Sequence, residues 1–228
     1  MQACILDCDG VLADTEKDGH RIAFNEAFRK KGLDAEWNIE QYGELLKIAG
    51  GKERMFHYFS CIGWPEGVND KEAFIRDLHA VKTACFIEIL QEGRLPLRSG
   101  VARLVDEAIE AGITLAVCST SNERAVNLVI DVLLGKDRKK HFKGIFAGDI
   151  AAKKKPDPEI YLLAKKRLNL LPGECLVIED SRNGLLAAKN AGMKCIITKS
   201  GYTRGEDFSE ADRVYPELGD PPGKAVTL

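Results

Sequence analysis

The chain has 228 residues, 45% of them apolar, with 33 Lys and Arg against 35 Asp and Glu for a formal charge of −2. That length suits one large domain or two small ones, with enough apolar residues for a real core. The charge balance argues against nucleic-acid or anionic-membrane partners, no run reaches the length of a membrane span, and the strand-like start at residues 1–6 leaves no visible signal or transit segment.

The first apolar run, Ala3 to Leu6, reads as a buried strand. It ends in Asp7 and Asp9, followed at once by Gly10, within ILDCDGVL (5–12). Two carboxylates about 4 Å apart repel by roughly 4 kcal/mol at an effective dielectric of 20. A cation, a proton or solvent has to offset that. Residues 15 to 95 then carry only helical periods: Arg21 to Lys30, Ile39 to Ile48, Glu53 to Phe59, and the long Lys71 to Gln91 before Gly93. From residue 96 the pattern alternates. Val101 to Ala111 is helical and ends at Gly112, and ITLAVCST (113–120) is a buried strand. A helical stretch from Glu123 to Leu134 stops at Gly135, and GIFAGD (144–149) is a shorter strand. Asp157 to Leu168 is helical, CLVIED (175–180) a strand, Asn183 to Ala191 a helix ended by Gly192, and KCIITK (194–199) a strand.

Strands alternating with helices imply an α/β fold, a doubly wound, Rossmann-like parallel sheet covered on both faces. Residues 1–14 and 96–228 are expected to form this core, with residues 15–95 an inserted, small all-helical domain. The seven cysteines are scattered and include no Cys-x2-Cys pair. Cys4, Cys118, Cys175 and Cys195 fall inside apolar runs and read as small buried hydrophobes of a reducing compartment.

In an open parallel sheet, ligands bind beyond the carboxyl ends of the strands. Past the first strand lie Asp7 and Asp9. Past the second lie Ser119, Thr120, Ser121 and Asn122. Past the third come Lys153, Lys154 and Lys155, then Pro156, and past the fourth Glu179 and Asp180. Each element has a plain structural reading. Asp9-Gly10 is ordinary turn chemistry, the Ser/Thr run can cap a helix, the lysine run can be a solvated face, and the acidic pair another turn. Their coincidence at four successive strand ends points instead to phosphoryl chemistry. Asp7, Asp9, Glu179 and Asp180 supply hard oxygen donors suited to Mg²⁺. An aspartate can attack phosphorus, a second carboxyl can protonate the leaving oxygen, and Ser119 and Lys155 can hold the equatorial oxygens.

These residues resemble the haloacid dehalogenase superfamily of phosphohydrolases. Asp7-Cys8-Asp9-Gly10-Val11 matches its first motif, Ser119 its second, Lys155-Pro156 its third, and Glu179-Asp180 its fourth. The resemblance implies Asp7 as nucleophile and Mg²⁺ ligand, and Asp9 as general acid/base that lends the metal its backbone carbonyl. It implies Ser119 and Lys155 as phosphoryl binders, Glu179 and Asp180 as the rest of the metal site, and the helical insertion as a mobile cap. Within the superfamily the chain resembles β-phosphoglucomutase and, more closely, the CbbY-type phosphatases. Those remove xylulose 1,5-bisphosphate, an inhibitor of Rubisco. DTEKDGHRIAFNEAF (14–28), YGELLKIAGGKERM (42–55), CSTSNE (118–123), KKKPDPEIY (153–161), EDSRNGLLAAK (179–189) and SGYT (200–203) carry this likeness. Asn122 stands where β-phosphoglucomutase has a lysine, which argues against the alternative, a sugar-phosphate mutase. Cys8 reads as a spacer facing away from the metal, with a redox-sensitive thiol as the other reading.

Gly50-Gly51-Lys52-Glu53-Arg54 opens a helical period. Its glycines and two cations resemble a holder for a second, distal phosphate, and a glycine turn before a charged helix is the plain reading. Glu16, His20, Tyr42 and Arg21 are expected at the sugar's hydroxyls, and Thr120, Ser121 and Asn122 beside Ser119 and Lys155 at the substrate. Phe24 and Phe28, four apart, read as the cap's own core. The expectation is therefore a monomeric, Mg²⁺-dependent phosphatase acting on a phosphorylated sugar. It would have no nucleic-acid or membrane partner and would work in bacterial cytoplasm or plastid stroma rather than being secreted.

Overall fold

The computed structural model describes residues 1–48, 50–223 and 226–227. The chain forms two compact units, Glu16–Arg94 and a second made of Met1–Thr15 with Leu95–Leu228.

The helical unit contains α1 (Arg21–Lys30), α2 (Ile39–Leu45), α3 (Gly51–Ile62) and α4 (Lys71–Gln91). A wide π-type turn, Thr15–His20, precedes α1. Its core is aromatic. Phe24, Phe28, Trp37, Tyr42, Tyr58 and Phe59 are buried, with the Trp37 ring 4.6 Å from Phe24 and 5.0 Å from Phe28. Each such side chain contributes about 1.5–3 kcal/mol on burial. Buried Asn25 locks the Trp37 loop by donating to the Trp37 carbonyl (2.9 Å) and accepting from its N–H (2.8 Å). Asn38 and Asp70 cap α2 and α4. Two helix boundaries differ from the periodicity. α2 ends at Leu45 because the chain tightens there into i→i+3 bonds, Lys47 to Glu44 and Ile48 to Leu45. α3 runs on to Ile62 because nothing breaks it before Gly63, whose φ of +104° ends it.

The other unit is built on a six-stranded parallel sheet in the order β3-β2-β1-β4-β5-β6. The strands are β1 (Ala3–Leu6), β2 (Thr114–Cys118), β3 (Phe142–Phe146), β4 (Cys175–Glu179), β5 (Lys194–Thr198) and β6 (Arg213–Tyr215). Between them run α5 (Val101–Glu110), α6 (Glu123–Val129), α7 (Gly135–Lys139), α8 (Glu159–Leu168) and α9 (Arg182–Asn190). This is the expected doubly wound α/β fold, with β1 at the centre and the strand order reversing beside it. Alternation along the strands sends Ala3, Ile5, Cys175, Val177, Cys195 and Ile197 to one face. There they pack with Ile160, Tyr161 and Ala164 of α8 and with Leu185, Ala187 and Ala188 of α9.

Three sequence expectations shift. β3 lies at 142–146, not 144–149, and the chain turns into a short 3-10 segment at Gly148–Ile150. It is an edge strand, so exposed Lys143 is tolerated inside it, which hid the strand from an apolar-run reading. α6 passes into a π-type stretch at Ile130–Leu134, and α7 resumes beyond the left-handed Gly135. The short edge strand β6 carries no apolar run and was not expected. Among the described residues no helix is long and apolar enough to cross a membrane.

Candidate functional site

Register explains why the acids meet. Leu6 of β1 pairs with Val117 of β2 and with Ile178 of β4. Asp7, Cys118 and Glu179, each the next residue, therefore sit level at the carboxyl ends of three adjacent strands. Alternation then continues the inner face Ile5-Asp7 and Val177-Glu179, so both carboxylates point toward the side covered by α8 and α9. Asp7 N–H donates to the Ile178 carbonyl at 3.0 Å and Ser119 N–H to the Phe146 carbonyl at 2.9 Å, which fixes these strand ends.

Asp7, Glu179 and Asp180 are buried, and their carboxylate oxygens lie within 4.8 Å of one another. At such distances two charges repel by roughly 3 kcal/mol at an effective dielectric of 20. One ammonium is embedded among them. Lys155 Nζ donates to Asp7 Oδ1 (2.7 Å), Glu179 Oε1 (2.5 Å) and the Cys118 carbonyl (3.0 Å), which uses all three of its hydrogens. Tyr161 donates its hydroxyl to the same Glu179 Oε1 at 2.5 Å. Burial pushes the Asp7 carboxyl up to about 8, with Glu179 and Asp9 adding to the rise and Lys155 opposing it. Burial, then Glu179 and Asp7, likewise hold Asp180 well above the usual carboxylate range. Burial pulls Lys155 down, but the Asp7 and Glu179 charges outweigh it and raise the ammonium above its ordinary value. Burial and the nearby carboxylates keep the Tyr161 phenol protonated, hence a donor.

Asp9 belongs to a different arrangement. Its carboxylate accepts from Thr15 Oγ1 at 2.5 Å, from Ser121 Oγ, and from Ser119 Oγ at 3.5 Å. The side chain is outside the Asp7–Glu179–Asp180 cluster, so any contribution of Asp9 to a metal comes from its main chain. Ser119 is buried, and its hydroxyl also accepts the Ser121 N–H at 3.1 Å. Thr120 is exposed with no bond to this group, and exposed Asn122 caps α6 by accepting the Arg124 and Ala125 N–H groups. Lys153 and Lys154 are exposed, as the plain reading of that run had it. Cys8 is buried, and burial together with Asp9 and Asp7 pushes its thiol well up.

Two glycines make room for the acids. Gly10 takes φ +80°, and a Cβ there would collide with the Asp180 carboxylate. Gly184, in the first turn of α9, leaves space that the Glu179 carboxylate occupies, since a Cβ would overlap it. Arg98 braces the turn after β1. It donates to the carbonyls of Gly10, Thr198 (3.0 Å), Lys199 (2.7 Å) and Pro216 (2.9 Å). Thr15, Arg98, Tyr161 and Gly184 are the residues here that sequence reasoning missed. Gly184 alone left a trace, a glycine inside a helical period where it costs about 1 kcal/mol against alanine.

The three buried carboxyls offer hard oxygen donors, and ionising all three beside the one ammonium would leave two negative charges for a further cation to offset. The residues fit Mg²⁺.

In the helical unit, Tyr42 donates to Glu16 Oε2 (2.5 Å) and accepts from Arg54 Nη1 (2.9 Å), while Arg54 Nε reaches the Ile48 carbonyl (3.3 Å). Glu16, Tyr42 and Arg54 thus form one chain, with Arg54 turned inward. Lys52 and Gly50 are exposed at the start of α3, and the Glu53 carboxylate lies where a Gly50 Cβ would be. His20 Nδ1 accepts from the buried Lys82 ammonium at 3.0 Å, and its ring lies against Phe86. Burial, then Lys82, Arg54 and His79, hold His20 neutral, far below its ordinary range. With Nδ1 accepting, its proton sits on Nε2. Arg21 donates to the Trp37 carbonyl at 3.2 Å and braces that loop.

A family model described as haloacid dehalogenase-like hydrolase matches residues 1–192. The "CBBY-like protein" of Arabidopsis thaliana is 55% identical over 230 residues, covering 99% of this chain and 72% of that one. The crystal structure of CbbY from Rhodobacter sphaeroides in complex with phosphate superposes with a TM-score of 0.83 at 41% identity, covering 96% of both chains. A mutant of that protein in complex with xylulose-(1,5)bisphosphate matches with the same TM-score at 40% identity and 96% coverage of both. With two level carboxylates on neighbouring strand ends, an embedded lysine and this extent of similarity, the chain belongs to the haloacid dehalogenase-like hydrolase family.

Proposed function

We propose that this protein is a Mg²⁺-dependent phosphatase that hydrolyses a sugar bisphosphate, best fitted by xylulose 1,5-bisphosphate, through an aspartyl-phosphate on Asp7. That it is a phosphatase follows from its family and relatives. The observation that carries the finer reading is the buried group Asp7–Glu179–Asp180 around Lys155, with Asp9 held apart by Thr15 and Ser121. Two carboxyls two residues apart thereby receive different environments and different tasks.

Asp7, Glu179 and Asp180, with the Asp9 main chain, would hold Mg²⁺, which supplies positive charge against the phosphoryl oxygens and the clustered acids. An Asp7 oxygen attacks phosphorus while the bond from phosphorus to the sugar oxygen breaks. The Asp9 carboxyl gives its proton to that leaving oxygen. Asp9 then takes a proton from the water that attacks the aspartyl-phosphate, and the bond from phosphorus to Asp7 breaks. Lys155 has every hydrogen committed in the resting protein. Esterification removes the charge from Asp7 and releases one Lys155 hydrogen to the phosphoryl group, beside Ser119 and Ser121.

The helical unit is assigned the cap's role of substrate selection. Gly50, Gly51 and Lys52 take the distal phosphate once the Glu53 side chain turns aside, and Arg54, which reaches the Ile48 carbonyl, braces the turn before α3. Glu16, Tyr42 and the His20 Nε2–H face sugar hydroxyls. Arg21, Thr120 and Asn122 have no part in this proposal, because Arg21 and Asn122 already serve main-chain groups. The proposal places the enzyme where Rubisco works, in bacterial cytoplasm or plastid stroma. The test is release of inorganic phosphate from a panel of sugar bisphosphates and monophosphates with and without Mg²⁺. Fast, Mg²⁺-dependent release from xylulose 1,5-bisphosphate is expected. Isomerised sugar without phosphate release would replace the phosphatase by a mutase, and no reaction with any sugar phosphate would end the reading.

A further inference from the structure

We infer that Tyr161 is a positioning residue that fixes the Glu179 carboxylate, and through a shared oxygen the Lys155 ammonium. The inference rests on the proposed phosphoryl chemistry for its kinetic part only. Tyr161 lies in the first half of α8, fully buried on the face that packs against β2 and β3. Because Glu179 continues the inward alternation of Cys175 and Val177, its side chain meets that face rather than solvent.

Glu179 Oε1 accepts two hydrogen bonds, one from Tyr161 Oη and one from Lys155 Nζ, both at 2.5 Å. The Tyr161 ring also lies under the ammonium, with Nζ 5.1 Å from its centroid. The other Glu179 oxygen accepts the Asp180 N–H at 3.2 Å. Without the phenol, Oε1 would be held by the Lys155 side chain alone and would shift with it. The phenol hydroxyl, carried on a ring with two torsions and no room to move, removes that freedom. It also takes part of the accepting capacity of Oε1. Glu179 therefore does not draw the ammonium away from Asp7 when Asp7 becomes a phosphate ester. No other partner of Lys155 has this effect, since the Cys118 carbonyl is fixed main chain.

Tyr161→Phe removes the hydroxyl and keeps the ring and its packing. Calorimetric titration of the substrate-free protein with Mg²⁺ is expected to show binding weakened severalfold. Turnover of the sugar bisphosphate is expected to fall about tenfold with KM within about twofold, the scale of one hydrogen bond to a charged group. Added to Glu179→Gln, the same substitution should cost nothing further, because Tyr161 acts through Glu179. Unchanged Mg²⁺ binding and unchanged kcat in Tyr161→Phe would overturn the inference, as would full additivity of the two substitutions. If the wild type cleaves no sugar phosphate, the proposed function fails, and the Mg²⁺ titration still decides the role of Tyr161.

Discussion

Asp7 is held in surroundings that oppose its charge and then given one lysine that favours it. Burial raises its carboxyl from 3.8 to about 8, with Glu179 and Asp9 pushing the same way and Lys155 resisting. Between those values the folded protein keeps a proton that the unfolded chain has released, so this group makes stability fall as pH rises through the window. Lys155, raised above its ordinary range, contributes stability across the whole window and loses it only at higher pH, so the sign stands. A divalent cation relieves the burden most where Asp7 would ionise. The melting temperature of the protein should therefore rise more on adding Mg²⁺ at pH 8 than at pH 5, in paired thermal melts. An equal rise at both would place the cation elsewhere. The positions of Asp7, Asp9, Ser119, Glu179 and Asp180 at strand ends were legible at this scale, because each follows an apolar run closely, while Lys155 lies nine residues past β3. Tyr161 and Thr15 were not legible. Their partners Glu179 and Asp9 lie 18 and 6 residues away, outside the elements that carry them. Tyr161, beside Ile160, reads as core. Arg98 gathers carbonyls about a hundred residues distant, which no local pattern signals.

Elements set the residues in place by register and by helix starts. The match of Leu6 with Ile178 carries Asp7 and Glu179 to one level, and α9 starts close enough that only glycine fits at position 184. In an exposed helix Gly→Ala gains about 1 kcal/mol. Here Gly184→Ala should lower the melting temperature and weaken Mg²⁺ binding, because the added methyl displaces the Glu179 carboxylate. A stabilised variant with normal Mg²⁺ affinity would contradict that packing. The start of α3 supports a second expectation. Lys52→Ala should raise KM for a bisphosphate at least several times more than for the matching monophosphate, in steady-state assays. Equal changes would remove Lys52 from the distal phosphate. Apolar runs and glycine stops located β1, β2, β4, β5, α1 and α4 to within a residue or two. Edge strand β3 was placed two residues late at its start and β6 escaped, because neither presents an unbroken apolar run. The π-type segments escaped too, since a wider turn keeps helical periodicity to the eye.

For the whole molecule, the chain forms two compact units, Glu16–Arg94 and Met1–Thr15 with Leu95–Leu228. The doubly wound sheet gathers strand ends 7, 118 and 179 from three remote parts of the sequence, which gives the acids a common burial that no single segment provides. The proposed function puts the chemistry in the sheet unit and the choice of sugar in the helical one. Covalent transfer to Asp7 is the step on which the proposed function depends. Wild-type protein mixed with Mg²⁺ and xylulose 1,5-bisphosphate, quenched in acid within a single turnover and digested, should yield the N-terminal peptide bearing one phosphoryl group on Asp7 by mass spectrometry. Phosphate released at full rate with that peptide unmodified at every quench time would contradict the account.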